Sequence, residues 1–263
     1  FLPVPIVWLL AIAGAFIFGA AWAFIPAYLQ AKRGSHVVIT TIMFNFIASS
    51  LMVFLLVDVI RDMKQMGPHT VALPEEIWFP TFKEFAALFG IKIRYSPLNI
   101  SFLLAIAASF FVWFLVWKTK WGYEMRAVGH NMQAAIYAGI SPYKNIIIAM
   151  CISGGLAGLL GINEILGVHH KIVAGFPAGY GFTGIAVALM GRNHPIGIFP
   201  AAFLFGILYQ GGSEVTFDMP NITRYMFVAV QGVIILFSGA LENLFRPQIE
   251  SFFVNRLNMK REI

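Results

Sequence analysis

Apolar residues arrive along this chain in long runs separated by short polar stretches, which is the pattern of repeated bilayer crossings. A hydrocarbon core about 30 Å thick takes about 20 apolar residues per helix. The runs 6–29, 39–57, 100–117 and 145–163 meet that length, and 225–241 adds a fifth. Between the last two, 180–191 and 195–212 are shorter or richer in Gly and Pro, and predict a short or broken helix followed by a further span. The pattern as a whole predicts an all-α, polytopic membrane bundle. It forms one transmembrane domain over 1–263, with about seven spans and the broken helix near 180–191. Residues 1–29 lack a basic start and are expected to be a first crossing rather than a signal peptide.

Composition agrees. Apolar residues make up 59% and charged residues 11%, against about 25% charged in soluble domains, which argues against a soluble enzyme and a disordered chain. The single cysteine, Cys151, excludes a disulfide scaffold. The net charge of +6 does not call for a nucleic-acid partner, because the basic residues lie in short stretches between apolar runs. With Phe1 outside and the spans alternating, Lys32, Arg33, Lys118, Lys120, Arg126, Lys144, Arg192, Arg246, Arg256, Lys260 and Arg261 gather inside. That is 11 of the 18 basic residues, as the positive-inside rule requires. The loop 61–98 is then external and 118–144 cytoplasmic. The external loop is punctuated by Pro68, Pro74, Pro80 and Pro97, and 84–89 suits a short surface helix. It reads as an external cap or docking surface, or more plainly as a solvated connector.

Charge is missing from the middle of every predicted span. Asp58, Glu164, Glu214 and Glu242 sit at span ends, where they are expected to reach water. Intramembrane charge is costly and usually functional, so its absence implies an uncharged cargo path and driving energy from elsewhere. No phosphate-cradling G-x-x-x-x-G-K-[ST], no G-x-S-x-G and no H-E-x-x-H occurs. No catalytic residue, metal site or cofactor is expected. The adjacent His169 and His170 point about 100° apart on a helix, and fit an exposed outer loop better than a shared metal. A membrane enzyme would need a His, Asp or Glu cluster at one face, which is not found.

Three segments carry more. In 118–144, Asn131 suits an N-cap and Gly139 a C′ position, bracketing a helix over 132–138. Ser141 is expected to cap the next helix, with Pro142 at its first position. So short a helix is unstable alone in water, so it must be held, either by a partner protein or by lipid headgroups. Ala134, Ala135 and Ala138 offer one small face for such a partner. Gly154, Gly158 and Gly161 form a ridge that lets another helix approach closely. Finally, a cavity walled by Tyr180 and Phe182, with Asn163 and Gln210 near, would suit a neutral ring, against the plainer reading of packing. Asn45, mid-span, needs either an interhelical hydrogen bond or a solute.

At these segments the chain resembles permease subunits of bacterial ABC importers of the ribose/branched-chain amino acid type, particularly nucleoside or simple-sugar permeases that work with basic membrane lipoproteins. The resembling stretches are Lys32-Arg33-Gly34 with Thr40-Thr41-Ile42-Met43-Phe44-Asn45, Arg126-Ala127-Val128-Gly129-His130-Asn131 with Ala134-Ala135 and Gly139-Ile140, Ser153-Gly154-Gly155-Leu156-Ala157-Gly158, and 179–189 with Asn193, Pro195 and Gly197. They run in family order from about Gln30 to Leu244. The resemblance implies a multi-pass protein of the bacterial cytoplasmic membrane, among membrane lipid. It implies a second permease subunit, cytoplasmic ATP-binding subunits that hydrolyse ATP, and an external solute-binding lipoprotein or periplasmic protein. Glu124, Arg126, Gly129, Asn131, Ala134, Ala135 and Gly139 fall in the segment that resembles the family's ATPase-coupling loop. His130 stands where a more ordinary polar residue is expected. Family members are usually longer, with further N-terminal spans. The expected function is alternating-access import of a neutral solute, a nucleoside first. A simple sugar, or a passive channel or facilitator, is the alternative.

Overall fold

The computed structural model describes residues 3–61, 67–83, 98–176, 179–219, 226–234 and 236–237. The fold is all-helical, as the apolar runs predict. In order the helices are α1 (Val4–Arg33), α2 (Val37–Phe54), α3 (Ser101–Lys118), α4 (Lys120–His130), α5 (Met132–Tyr137), α6 (Pro142–Ile162), α7 (Tyr180–Met190) and α8 (Pro195–Asp218). Short π-helical stretches, Leu55–Val59 and Asn163–His169, prolong α2 and α6. With those extensions, α1, α2, α3, α6 and α8 are long and apolar enough to cross a membrane. The predicted broken helix is α7, whose 11 residues reach only about 16 Å, half of the hydrocarbon depth. Within the last predicted run, 226–234 are helical. The surface helix expected over 84–89 lies outside the described residues.

The chain falls into two compact units, Phe1–Ala178 and Gly179–Ile263. In the first, α1 and α6 run antiparallel in close contact. Lipid tails give apolar helices no hydrophobic reason to associate, so small residues that let backbones approach must hold them. Ala15, Gly19 and Ala23 on α1 meet Gly154 and Gly158 on α6: a Cβ at Gly19 would strike the Gly154 carbonyl, and one at Gly158 the Ala15 carbonyl. Gly155 lies under the Phe16 ring. Gly161, expected on the same ridge, meets nothing.

One end of this pair is capped by residues 67–83. Phe79, 5% exposed, packs with Ile162 and Leu166 against Trp8 and Ala11. Its N–H donates to the Leu166 carbonyl at 2.9 Å, and Trp8 meets its ring edge-on at 5.5 Å. The Trp8 indole donates to the Ile77 carbonyl and the Trp78 indole to the Leu73 carbonyl, both at 2.9 Å. These contacts seat residues 67–83 on that end of the pair.

At the opposite end, Thr119 breaks α3 from α4 and caps α4, its hydroxyl accepting from the Gly122 N–H at 3.2 Å. The corner is so tight that a Cβ at Gly122 would strike the Leu115 and Val116 carbonyls. Much of the predicted inner loop is therefore helix α4.

In the second unit, α7 and α8 form a hairpin around Ala186, Val187, Ala201 and Phe205. Arg192 and Asn193 turn the chain in the left-handed region, and Pro195 opens α8. Phe227 lies against Gly212 of α8.

Candidate functional site

The predicted coupling residues lie together at the α4–α5 end of the first unit. Asn131 caps α5, its Oδ1 accepting from the N–H groups of Gln133 at 3.0 Å and Ala134 at 3.1 Å. Gly139 closes the helix at φ +76°, a conformation that costs a glycine nothing. The expected alanine face is corrected in one respect. Ala135 is 3% exposed and turned into the chain's own fold, because neighbours on a helix point about 100° apart, while Ala134 and Ala138 remain exposed. What the helix presents outward is Met132, Ile136 and Tyr137, the last 92% exposed. Arg126 and Gly129 of α4 are exposed nearby in sequence. Ser141 does precede α6, but its hydroxyl makes no cap bond. Pro142, which has no N–H to satisfy, starts the helix instead.

Glu124 faces inward from α4. Its carboxylate accepts from the Asn145 amide of α6 at 3.4 Å and pairs with Lys120 at 3.8 Å. Asn145 is 4% exposed and also donates to the Ser141 carbonyl at 3.1 Å. Sequence reasoning passed over Asn145. The signal was available: an amide that starts an apolar run needs a partner.

Asn163 belongs to a hydrogen-bonded knot at the capped end. Its Oδ1 accepts from Ser101 Oγ and from Asn99 Nδ2 at 3.4 Å, and its own amide donates to Glu164 at 3.2 Å. Asn99 donates on to the Gly167 carbonyl at 3.1 Å. Glu164, expected to reach water, is instead 7% exposed and lies 3.5 Å from His169. The π-helical turn carries it inward, and those partners make its burial tolerable. His170 is not a free loop residue either: it stacks on Trp78 with ring centroids 3.7 Å apart.

Asn45 opens onto a cavity of about 420 Å³ among α1, α2 and α6, lined also by Trp22, Phe44, Thr41, Ser153 and the Gly154–Gly158 ridge. Trp22 and Phe44 meet edge-to-face at 5.8 Å. Among the described residues the Asn45 amide has no hydrogen-bond partner, so it is available to whatever enters. In the second unit, Tyr180 lies 6.4 Å from Tyr209, Phe182 is exposed, and Gln210 donates to Glu214 at 3.2 Å. Among the described residues no group of three or more His, Cys, Asp or Glu could hold a metal ion.

Residues 2–239 match the family model described as branched-chain amino acid transport system / permease component. The guanosine ABC transporter permease protein NupP of Bacillus subtilis is 35% identical over 229 residues, 87% of this chain and 63% of its own length. The glucose ABC transporter permease protein TsgB13 of Haloferax volcanii is 32% identical over 252 residues, covering 93% and 64%. The nucleoside ABC transporter permease protein NupB of Lactococcus lactis is 35% identical over 220 residues, covering 81% and 59%. The chain thus spans about three-fifths of the length of these relatives. No solved structure matches it. Apolar helices packed through glycine, a short capped helix between two of the spans and a match over nearly the whole chain converge: this is a multi-pass protein of the cytoplasmic membrane, and it belongs to the family of branched-chain amino acid transport system permease components.

Proposed function

We propose that the chain is the membrane-spanning part of an ABC importer that moves a neutral solute inward, with ATP hydrolysed on separate cytoplasmic subunits and solute delivered by an external binding protein. The observation that carries this is α5. A helix of 6 residues, fixed at both ends and anchored by Ala135, holds Met132, Ile136 and Tyr137 out toward solvent. Such an apolar strip at the polar end of a membrane bundle wants a protein partner. Coupling through Glu124, Arg126, Gly129, Asn131, Ala134, Ala135 and Gly139 follows, with Ala135 seating the helix, Glu124 turned inward to α6, and the others on or beside the docking surface.

A nucleoside is the solute we favour, because two of the relatives named above carry guanosine or nucleoside in their names. The Asn45 cavity suits that choice: an amide supplies both donor and acceptor, with Trp22 and Phe44 beside it. Tyr180, Phe182 and Gln210 are further candidates for the path, as is Asn163, although its amide is already engaged. The glucose relative supports a simple sugar as the second reading.

The test is uptake by proteoliposomes holding the full-length protein with its ATP-binding and solute-binding partners. Guanosine is expected to accumulate against its gradient only with ATP on the cytoplasmic side. Accumulation of glucose instead would select the sugar, and equilibration without ATP would leave a facilitator.

A further inference from the structure

α5 touches the rest of the molecule at few points, so a push on it must be passed on somewhere. Three features make one connection stand out. Glu124, on α4, and Asn145, one turn into α6, are 21 residues apart in sequence and are joined side chain to side chain at 3.4 Å. Asn145 is nearly fully buried, and its two amide hydrogens serve two different elements, the Glu124 carboxylate and its own helix at Ser141. And α6 beyond it is in backbone contact with α1 through Gly154 and Gly158, so whatever turns the start of α6 turns the pair. On the other side, α4 is locked to α3 by the Gly122 corner.

We propose that Asn145 is a positioning residue that clamps α4 to α6 through Glu124, so that displacement of α5 is delivered to the α1–α6 pair instead of being lost as bending of the link at 139–141. The inference rests on the coupling role of α5 proposed above. Without the clamp, α5 is tied to α6 by the chain itself and by the contacts of Ala135. With it, α4, α5 and the start of α6 move as one piece.

The experiment measures solute imported per ATP hydrolysed in the full-length transporter reconstituted with its ATP-binding and solute-binding subunits. Membrane abundance and subunit co-purification serve as controls. Asn145→Asp sets two carboxylates face to face and is expected to lower solute per ATP at least fivefold while the subunits stay assembled. Glu124→Gln keeps an acceptor oxygen for the Asn145 amide and is expected to lose less than Asn145→Asp does. The pair Asn145→Asp with Glu124→Gln reverses donor and acceptor and is expected to recover most of the loss. Should Asn145→Asp be lost from the membrane, Glu124→Leu, at a side chain one-quarter exposed, carries the same expectation of a fivefold loss. A normal ratio in an assembled Asn145→Asp or Glu124→Leu transporter, or no recovery in the double variant, overturns the clamp. Ile136→Asp separates this from the reading beneath it. If Ile136→Asp transports normally, α5 is not the coupling element; if it uncouples while the clamp variants do not, only the clamp fails.

Discussion

Single atoms decide the contact between α1 and α6. At Gly158 the obstacle to any side chain is the carbonyl oxygen of Ala15, which belongs to helical backbone and cannot swing aside. Gly158→Leu must therefore push the helices apart, at a cost of the usual overpacking order, about 1–3 kcal/mol. We expect lower thermal stability in detergent and less protein in the membrane. Gly161→Ala, with open space where its methyl would go, should leave the melting temperature unchanged or slightly higher, since alanine is the better helix former by about 1 kcal/mol. Equal melting temperatures for Gly158→Leu and the unaltered protein would contradict the packing described. The pairing also shows what sequence reading misses. Glycine spacing on α6 predicts a close approach by some helix, but the receiving face, Ala15-Gly19-Ala23, is inconspicuous within an apolar run, and nothing local reveals that Gly161 faces open space.

Elements were legible to different degrees for physical reasons. Long apolar runs are dictated by bilayer thickness, so α1, α2, α3 and α6 could be placed from hydropathy alone, while the Gly- and Pro-rich run that becomes α8 read as a further span after a broken helix. The short helix α5 was placed by its end signals, Asn131 and Gly139, which act through the adjacent backbone. Helix α4 was missed because its cue, Thr119 as a cap, lies between two lysines at the foot of a span and reads as loop. Burial of Glu164 was misjudged because a π-helical turn shifts which side chains point inward, where the Asn163 amide and His169 meet its carboxylate. For α5 the prediction follows from its cap. Asn131→Ala removes two hydrogen bonds to Gln133 and Ala134, a loss of about 1 kcal/mol. In so short a helix that is enough to fray it, so ATP-dependent uptake is expected to fall several-fold with abundance little changed. Asn131→Ser or Asn131→Asp, which also cap, should restore most of it. Uptake by Asn131→Ala at the normal rate would show that the helix does not depend on its cap.

At the scale of the first unit, the cap and α5 occupy opposite ends of the same pair. Trp8 and Phe79 mark one end, and Lys32 over the Tyr143 ring at 5.6 Å marks the other. We propose, from the distribution of basic residues, that the second end faces inside. Cysteine substitution tests that orientation at two exposed positions. Tyr137→Cys should react with an impermeant maleimide only in inverted vesicles, and Val71→Cys, 64% exposed in the cap, only in right-side-out ones. Labelling of both from one side would refute the arrangement. The native Cys151 lies within α6 and is expected to contribute little background.

The antiparallel contact of α1 with α6 has an electrical corollary. Each helix carries a macrodipole along its axis, and two of opposite sense side by side largely cancel. The acidic and basic side chains of α1 and α6 with its extension lie toward their ends, at Lys32, Arg33, Lys144, Glu164 and His169. A membrane voltage therefore finds almost nothing on this pair to pull.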